Sequence, residues 1–344
     1  MDSHFKRNDF ESVLSGRQPD KVPVWFMRQA GRVLPRYLKL RESYSFEQLM
    51  HDPQLACRVT LLPVEDLGVD AAILFSDILV IPSALGVKPV FTDKGPVFEK
   101  PLLSFQNPLD AIKPDASDLK YIYDAIDLIV DSKPDNLPLI GFCGGPLTVL
   151  LYMLQGIGTK SGFTDAEKFI FTHKSIVKQL VEHITDISLV YVENQIRHGV
   201  SCFRLFESNC GNIPFELYKD IFLPSVLKIC NRVRSLNRKF LFFPKGIGAG
   251  LLQITPDVCD FVSLDWQTDI FQARKFINPA IGIEGNLDPR VLFCTKDEIA
   301  SSLNYYKHFF QQHGNYIFNL GHGILPSVPF ENAKFVVDYL KDNN

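Results

Sequence analysis

Two kinds of segment alternate along the chain. Short apolar runs rich in Val, Ile, Leu and Phe occur at 22–27 (VPVWFM), 71–76 (AAILFS), 138–143 (PLIGFC), 201–208 (SCFRLFES), 239–246 (KFLFFPKG), 261–266 (FVSLDW), 280–287 (AIGIEGNL) and 316–323 (YIFNLGHG), each ending in or followed by Gly, Pro or polar residues. Their length and their β-branched and aromatic content predict strands. The intervening segments carry helical periodicity and start signals: a hydroxyl three residues before Glu or Gln predicts capping boxes at Ser45 to Gln48, Thr164 to Glu167 and Thr295 to Glu298. Such alternation predicts an α/β fold on a parallel sheet. Strands apolar throughout are buried on both faces, as in a doubly wound sheet or a closed barrel, and a count of eight favours a single (β/α)8 TIM barrel.

The longest gap, between the second and third strands, contains GVKPVFTDKGPVFEKPLL (86–103) before a helical stretch near 121–130, which predicts an excursion over one end of the barrel. No Gly- or Ser-rich linker and no further repeat interrupts the pattern, so residues 1–344 are expected to form one barrel domain. A hydrophobic fraction of 46% with 28 Phe excludes a disordered chain, and a net charge of -3 gives no overall basic field for nucleic acid or an acidic membrane. Anion binding must then be local. The seven Cys are scattered without a CxxC, the N-terminus lacks the apolar core of a signal peptide, and no apolar run reaches membrane-span length. A cytoplasmic protein is expected.

In a barrel, the residues following each strand share one mouth, where barrel enzymes keep their sites. Here those positions hold Arg28 and Arg32, Asp77, Gly144-Gly145-Pro146 with Tyr152 beyond, Phe206-Glu207-Ser208, Lys245, Asp265, Asn286 with Asp288, and His322 between two glycines. Each alone has a structural explanation as a cap or core residue; their joint position argues against an all-structural account. Arg28 and Arg32 flank small residues suited to a tight loop, and their rigid donor forks match carboxylate or phosphate. Arg36 and Arg41 read as surface residues. Asp77, inside LFSDILVIP, must be paired or employed; it either joins an arginine in an ion pair or accepts N–H donors from a ligand. KGIGAGL (245–251) lacks the last glycine of a dinucleotide loop, and no phosphate loop, HExxH helix, nucleophile elbow or zinc spacing is present.

PVWFMRQAGRVLPRY, AAILFSDILVIPSALG, GFCGGPLTVLLYM, LFESNCG, LDW, GNLDP and NLGHGILP together resemble the uroporphyrinogen decarboxylase family, in the family's order and over nearly the whole chain. The resemblance implies a single (β/α)8 barrel, a homodimer, and decarboxylation of the four acetate side chains of uroporphyrinogen III to coproporphyrinogen III and CO2 in porphyrin and haem biosynthesis, with no metal or organic cofactor. It implies substrate-carboxylate contacts at Arg28 and Arg32, the central pyrrole-binding carboxylate at Asp77, and further contacts at Tyr152, Ser208 and His322. Gln29, Ala30, Ile73, Phe75 and Phe206 would line the cleft. The proton donor stays open between an arginine, a water and Tyr152. Two departures stand out: Leu147 where the family usually has Trp, and Val33 where it usually has Tyr, both expected to remove aromatic area near the mouth. A related zinc methyltransferase would need a His-x-Cys ligand spacing that HGVSC (198–202) lacks.

Overall fold

Every predicted strand run except the first contains a regular strand. In the computed structural model, which describes residues 8–92, 95–156 and 162–342, the strands are β1 (Ala72–Ile73), β2 (Val90–Thr92), β3 (Gly95–Val97), β4 (Leu139–Gly144), β5 (Cys202–Glu207), β6 (Lys239–Pro244), β7 (Phe261–Ser263), β8 (Gly282–Glu284) and β9 (Tyr316–Ile317). Seven of them form a parallel sheet in the order β1-β4-β5-β6-β7-β8-β9. Sequential parallel neighbours joined through helices are what the alternating pattern requires. The excursion after β1 carries the antiparallel hairpin β2–β3, with Val90 opposite Val97, ahead of the helix Lys120–Ser132.

The run 22–27 makes an isolated parallel bridge at Val24 to Phe318. On that side the Phe318 amide donates to Pro23 O at 2.8 Å; on the other the Asp70 amide donates to Val24 O at 2.8 Å. The Asp70 carboxylate completes this edge by accepting the Val24 amide at 2.8 Å. A side chain therefore takes the place of a strand partner, which is why the run is not a regular strand.

Strands lie about 4.8 Å apart, so on a flat sheet β5 and β8 would be separated by about 14 Å. Yet Arg204 of β5 is ion-paired with Glu284 of β8, and its guanidinium lies 5.0 Å from the Trp25 ring centre and 5.6 Å from that of Phe243. Only a sheet curled on itself brings these side chains together.

The outer face is covered by helices with one apolar stripe. In the helix Lys174–Arg197 the buried positions Val177, Leu180, Val181, Ile184, Ile187, Ser188, Tyr191, Val192 and Gln195 recur at helical spacing. Gln195 hydrogen-bonds the amide and carbonyl of Phe142 at 3.1 and 3.0 Å, fixing helix against strand. A Cβ on Gly141 would lie 2.6 Å from Gln195 Oε1, so only glycine allows this approach. The capping boxes at Ser45 and Thr295 are formed. The third is a correction: the helix Thr164–Thr172 starts at Thr164 itself, with Phe163 as N-cap, so the hydroxyl sits one residue too late to cap it.

Candidate active site

The loop after 22–27 is anchored before it reaches its arginines. Asn319 Oδ1 accepts the Met27 amide at 3.0 Å and the Leu320 amide at 2.7 Å. Its Nδ2 donates to Glu284 Oε1 at 2.7 Å. The segments bearing Arg28 and His322 thus hang from one buried amide, itself tied to the Arg204–Glu284 pair. Arg28 takes a φ of 65°, the left-handed region a side chain seldom adopts. Its chain crosses Gly323 so closely that a Cβ there would meet Arg28 Cδ at 2.4 Å. Arg28 and Arg32 are exposed, and among the described residues neither makes an ion pair or side-chain hydrogen bond. Two guanidiniums held without anions suit an anionic ligand.

Asp77 retains some exposure yet is surrounded by protein, and desolvation raises its pKa against the opposing pull of the Leu79 amide and the Arg28 charge. Its Oδ1 accepts the Leu79 amide at 2.8 Å, while among the described residues Oδ2 has no hydrogen-bond partner. The alternative of a tight ion pair with an arginine is not what the geometry holds: Arg28 acts on Asp77 through its field. A carboxylate with one oxygen fixed and one open is arranged to accept N–H donors.

Tyr152 lies on the helix Pro146–Gln155, which starts from Gly145 at the end of β4. Glu207, fully buried at the end of β5, receives the helix's first amides: Leu147 N at 3.2 Å and Thr148 N at 2.7 Å, with the Thr148 hydroxyl at 2.6 Å and the Tyr218 hydroxyl at 3.2 Å. An anion at a helix N-terminus is favoured; burial nonetheless pushes the Glu207 pKa up to about 7. A Cβ on Gly145 would lie 2.5 Å from the carboxyl carbon of Glu207, which accounts for the glycine. The helix so fixed carries Tyr152 to within the fields of Asp77 and Arg28, its ring set edge-on to Phe163 at 5.1 Å. Burial, then Asp77, raise the Tyr152 pKa, so its hydroxyl stays neutral and can donate.

His322 stacks parallel to Trp266, ring centres 5.8 Å apart. Its Nδ1 accepts the Gly323 amide at 2.7 Å, which leaves the proton on Nε2 and makes that atom a donor. Burial, Arg28 and Lys245 lower the imidazole pKa to about 4. His322 is therefore neutral at physiological pH.

The remaining predicted positions divide. Ile73 and Phe206 sit at the sheet end with little exposure, and Ala30 and Ser208 are half-buried. The Phe75 ring packs edge-on to Tyr37 and Phe46. Gln29 needs correction as a cleft-lining side chain: it is fully buried, with Oε1 accepting the Phe26 amide at 3.0 Å and Nε2 donating to Ala71 O at 2.9 Å. It braces the loop instead. Leu147 and Val33 are also buried, so the departures from the family pattern alter core packing rather than aromatic area at the mouth. Arg36 pairs with Glu65 and Asp66 on the surface. Asp265 accepts the amides of Gly246 and Gln267, Asn286 donates to Asp265 O and Thr268 O, and Asp288 caps its own turn and pairs with Arg290.

Four residues that position the site escaped the reading of strand ends. Trp266 backs His322, and Arg204, Glu284 and Asn319 form the buried network below it. Arg204 and Glu284 carried a readable signal, a charge inside an apolar strand, the same argument that singled out Asp77. Among the described residues no group of His, Cys, Asp and Glu is arranged to hold a metal ion. Six of the seven cysteines are buried.

Residues 5–343 match the model of the family described as uroporphyrinogen decarboxylase (URO-D). A protein of Pelobacter propionicus named uroporphyrinogen decarboxylase is 38% identical over 323 residues, covering 94% of each chain. One of the same name from Coxiella burnetii is 37% identical over 334 residues, covering 95% of this chain and 92% of its own. Among solved structures, a methyltransferase from Methanosarcina mazei superposes with a TM-score of 0.81 at 17% identity, covering 96% of this chain and 97% of that one, a likeness of fold alone. With the match running through the arginine loop, Asp77, the Tyr152 helix and the His322 loop alike, the chain belongs to the uroporphyrinogen decarboxylase family.

Proposed function

We propose that this chain is a uroporphyrinogen decarboxylase, converting uroporphyrinogen III to coproporphyrinogen III and CO2 without metal or organic cofactor. The observation that carries the reading is Asp77: a desolvated carboxylate with one oxygen open, coupled by charge to Arg28 and Tyr152. Losing CO2 from an acetate arm requires an electron sink, and a protonated pyrrole ring is one. A proton adds to a ring carbon, the C–C bond to the carboxylate breaks, and its electron pair forms an exocyclic methylene as CO2 leaves. A second proton converts the methylene to methyl while the ring proton departs, so each cycle consumes one proton.

Asp77 would accept the inward pyrrole N–H groups and stabilise the ring cation, an effect strengthened where water is scarce. Arg28 and Arg32 would clamp substrate carboxylates, with the neutral donors Tyr152 and His322 Nε2 and the Ser208 hydroxyl as further contacts. Ala30, Ile73, Phe75 and Phe206 would contact the macrocycle. Burial and Asp77 raise the Tyr152 pKa and an arginine is a weaker acid still, so the proton source stays open between an arginine, a water and Tyr152. The reading extends to architecture: the run 22–27, hydrogen-bonded toward both Phe318 and Asp70, serves as the eighth strand of a closed (β/α)8 barrel spanning 1–344 as one domain. A homodimer follows from the family resemblance, and light scattering tests it; a cytoplasmic location rests instead on the scattered cysteines and the sequence's lack of a signal-peptide core.

The function is tested by incubating the protein with uroporphyrinogen III under anaerobic, reducing conditions and counting product carboxyls by chromatography. Stepwise loss of four carboxyls is expected. Binding without loss would favour a non-catalytic tetrapyrrole-binding scaffold.

A further inference from the structure

The geometry points to Lys245 as a third cationic clamp for a carboxylate of the tetrapyrrole, reaching the ligand from the strand end after β6 rather than from the loop that carries Arg28 and Arg32. The inference rests on the function proposed above. Lys245 directly follows β6, at the sheet end that also presents Asp77, Ser208 and His322. In the order β1-β4-β5-β6 this is three strands along from β1.

Its backbone is pinned there, the amide donating to Glu207 O and the carbonyl accepting the Gly211 amide, both at 3.1 Å. The side chain is half-buried, with Nζ 5.5 Å from the centre of the Trp266 ring, the same ring against which His322 stacks. The ammonium rests on an aromatic face and reaches His322 with its field. Among the described residues it has no anion and no hydrogen-bond acceptor. Trp266 thus orients a neutral donor and a cation toward one ligand.

An octacarboxylate presents more anions than two guanidiniums can meet, and an unpaired ammonium held at the same mouth supplies another. Lysine suits this place: a flexible stem lets one point charge follow carboxylates that change as acetates become methyls.

The test uses the full chain, anaerobic uroporphyrinogen III, and Lys245→Met, Lys245→Gln and Lys245→Arg, with native folding checked by near-UV circular dichroism. KM is expected to rise about tenfold in the Met and Gln variants with kcat within about twofold, and Arg to recover most of the loss. The deficit should narrow as salt is raised. Parameters in the Met and Gln variants equal to wild type would overturn the clamp, as would an Arg variant no better than Met, or loss of native structure in both uncharged variants. Wild-type protein that leaves uroporphyrinogen intact would instead remove the proposed function, and the clamp with it.

Discussion

Arg204 and Glu284 are both fully buried, and their ion pair anchors the polar network beneath the site. Glu284 Oε2 also accepts the Ser263 hydroxyl at 2.9 Å, and Oε1 the Asn319 amide at 2.7 Å. Arg204 Nε and Nη2 have no hydrogen-bond partner, so Glu284 is the one anion offsetting the guanidinium's desolvation among the described residues. Glu284→Leu therefore leaves a buried charge uncompensated and is expected to cost about 3–5 kcal/mol. Arg204→Met should cost a similar amount while its thioether fills the space between Trp25, Phe206 and Phe243. The double variant removes both charges and strands only the Ser263 and Asn319 donors, so its cost is expected near 2 kcal/mol, roughly one or two unmade hydrogen bonds. Urea unfolding of the four proteins gives the coupling energy directly. Single variants costing below about 1 kcal/mol, or a double variant equal to their sum within about 0.5 kcal/mol, would refute the role assigned to the pair. Activity separates further: Glu284→Leu frees the Asn319 amide that holds Met27 and Leu320, so kcat/KM should fall more than in Arg204→Met.

Two other outcomes follow from the site itself. The His322 imidazole, with its pKa lowered to about 4, should show no titration near 6.5 when followed by NMR; a midpoint at 6 or above would contradict the neutral Nε2 donor. Because the unfolded chain binds this proton first, the residue's contribution to stability is present above 6.5 and lost as pH falls toward 4. Arg32→Lys should raise KM about fivefold to tenfold by replacing a bidentate fork with a point charge, and an unchanged kcat/KM would make Arg32 structural.

A polar residue inside an apolar strand or just after one demands an explanation, and on that ground the sequence singles out Asp77, Arg28 and His322, which the fold brings together with Asp77 and His322 both in the field of Arg28. Gln29 shows where such reading fails. Its neighbour Arg28 is exposed and Ala30 half-buried, whereas the Gln29 amide turns inward to hold Phe26 and Ala71, and no periodicity encodes that placement. Trp266 was hidden for a different reason: a lone Trp after a strand reads as core until His322, from a distant segment, lies parallel to it. The run 22–27 read as a strand, and its position beside Phe318 matches that, but the carboxylate of Asp70 replacing a ladder partner depends on tertiary placement. Thr164 illustrates the one-residue error typical of helix starts, where a hydroxyl suited to capping becomes the first helical residue.

In the proposed reaction Asp77 stabilises positive charge on the pyrrole ring during CO2 loss. Anaerobic single-turnover measurement of the first decarboxylation by Asp77→Asn, which keeps the shape and the Leu79 contact while removing the charge, tests it most directly. A folded protein is expected that still binds uroporphyrinogen III and whose rate falls at least about a hundredfold. A folded Asp77→Asn with a first-step rate close to wild type would contradict it.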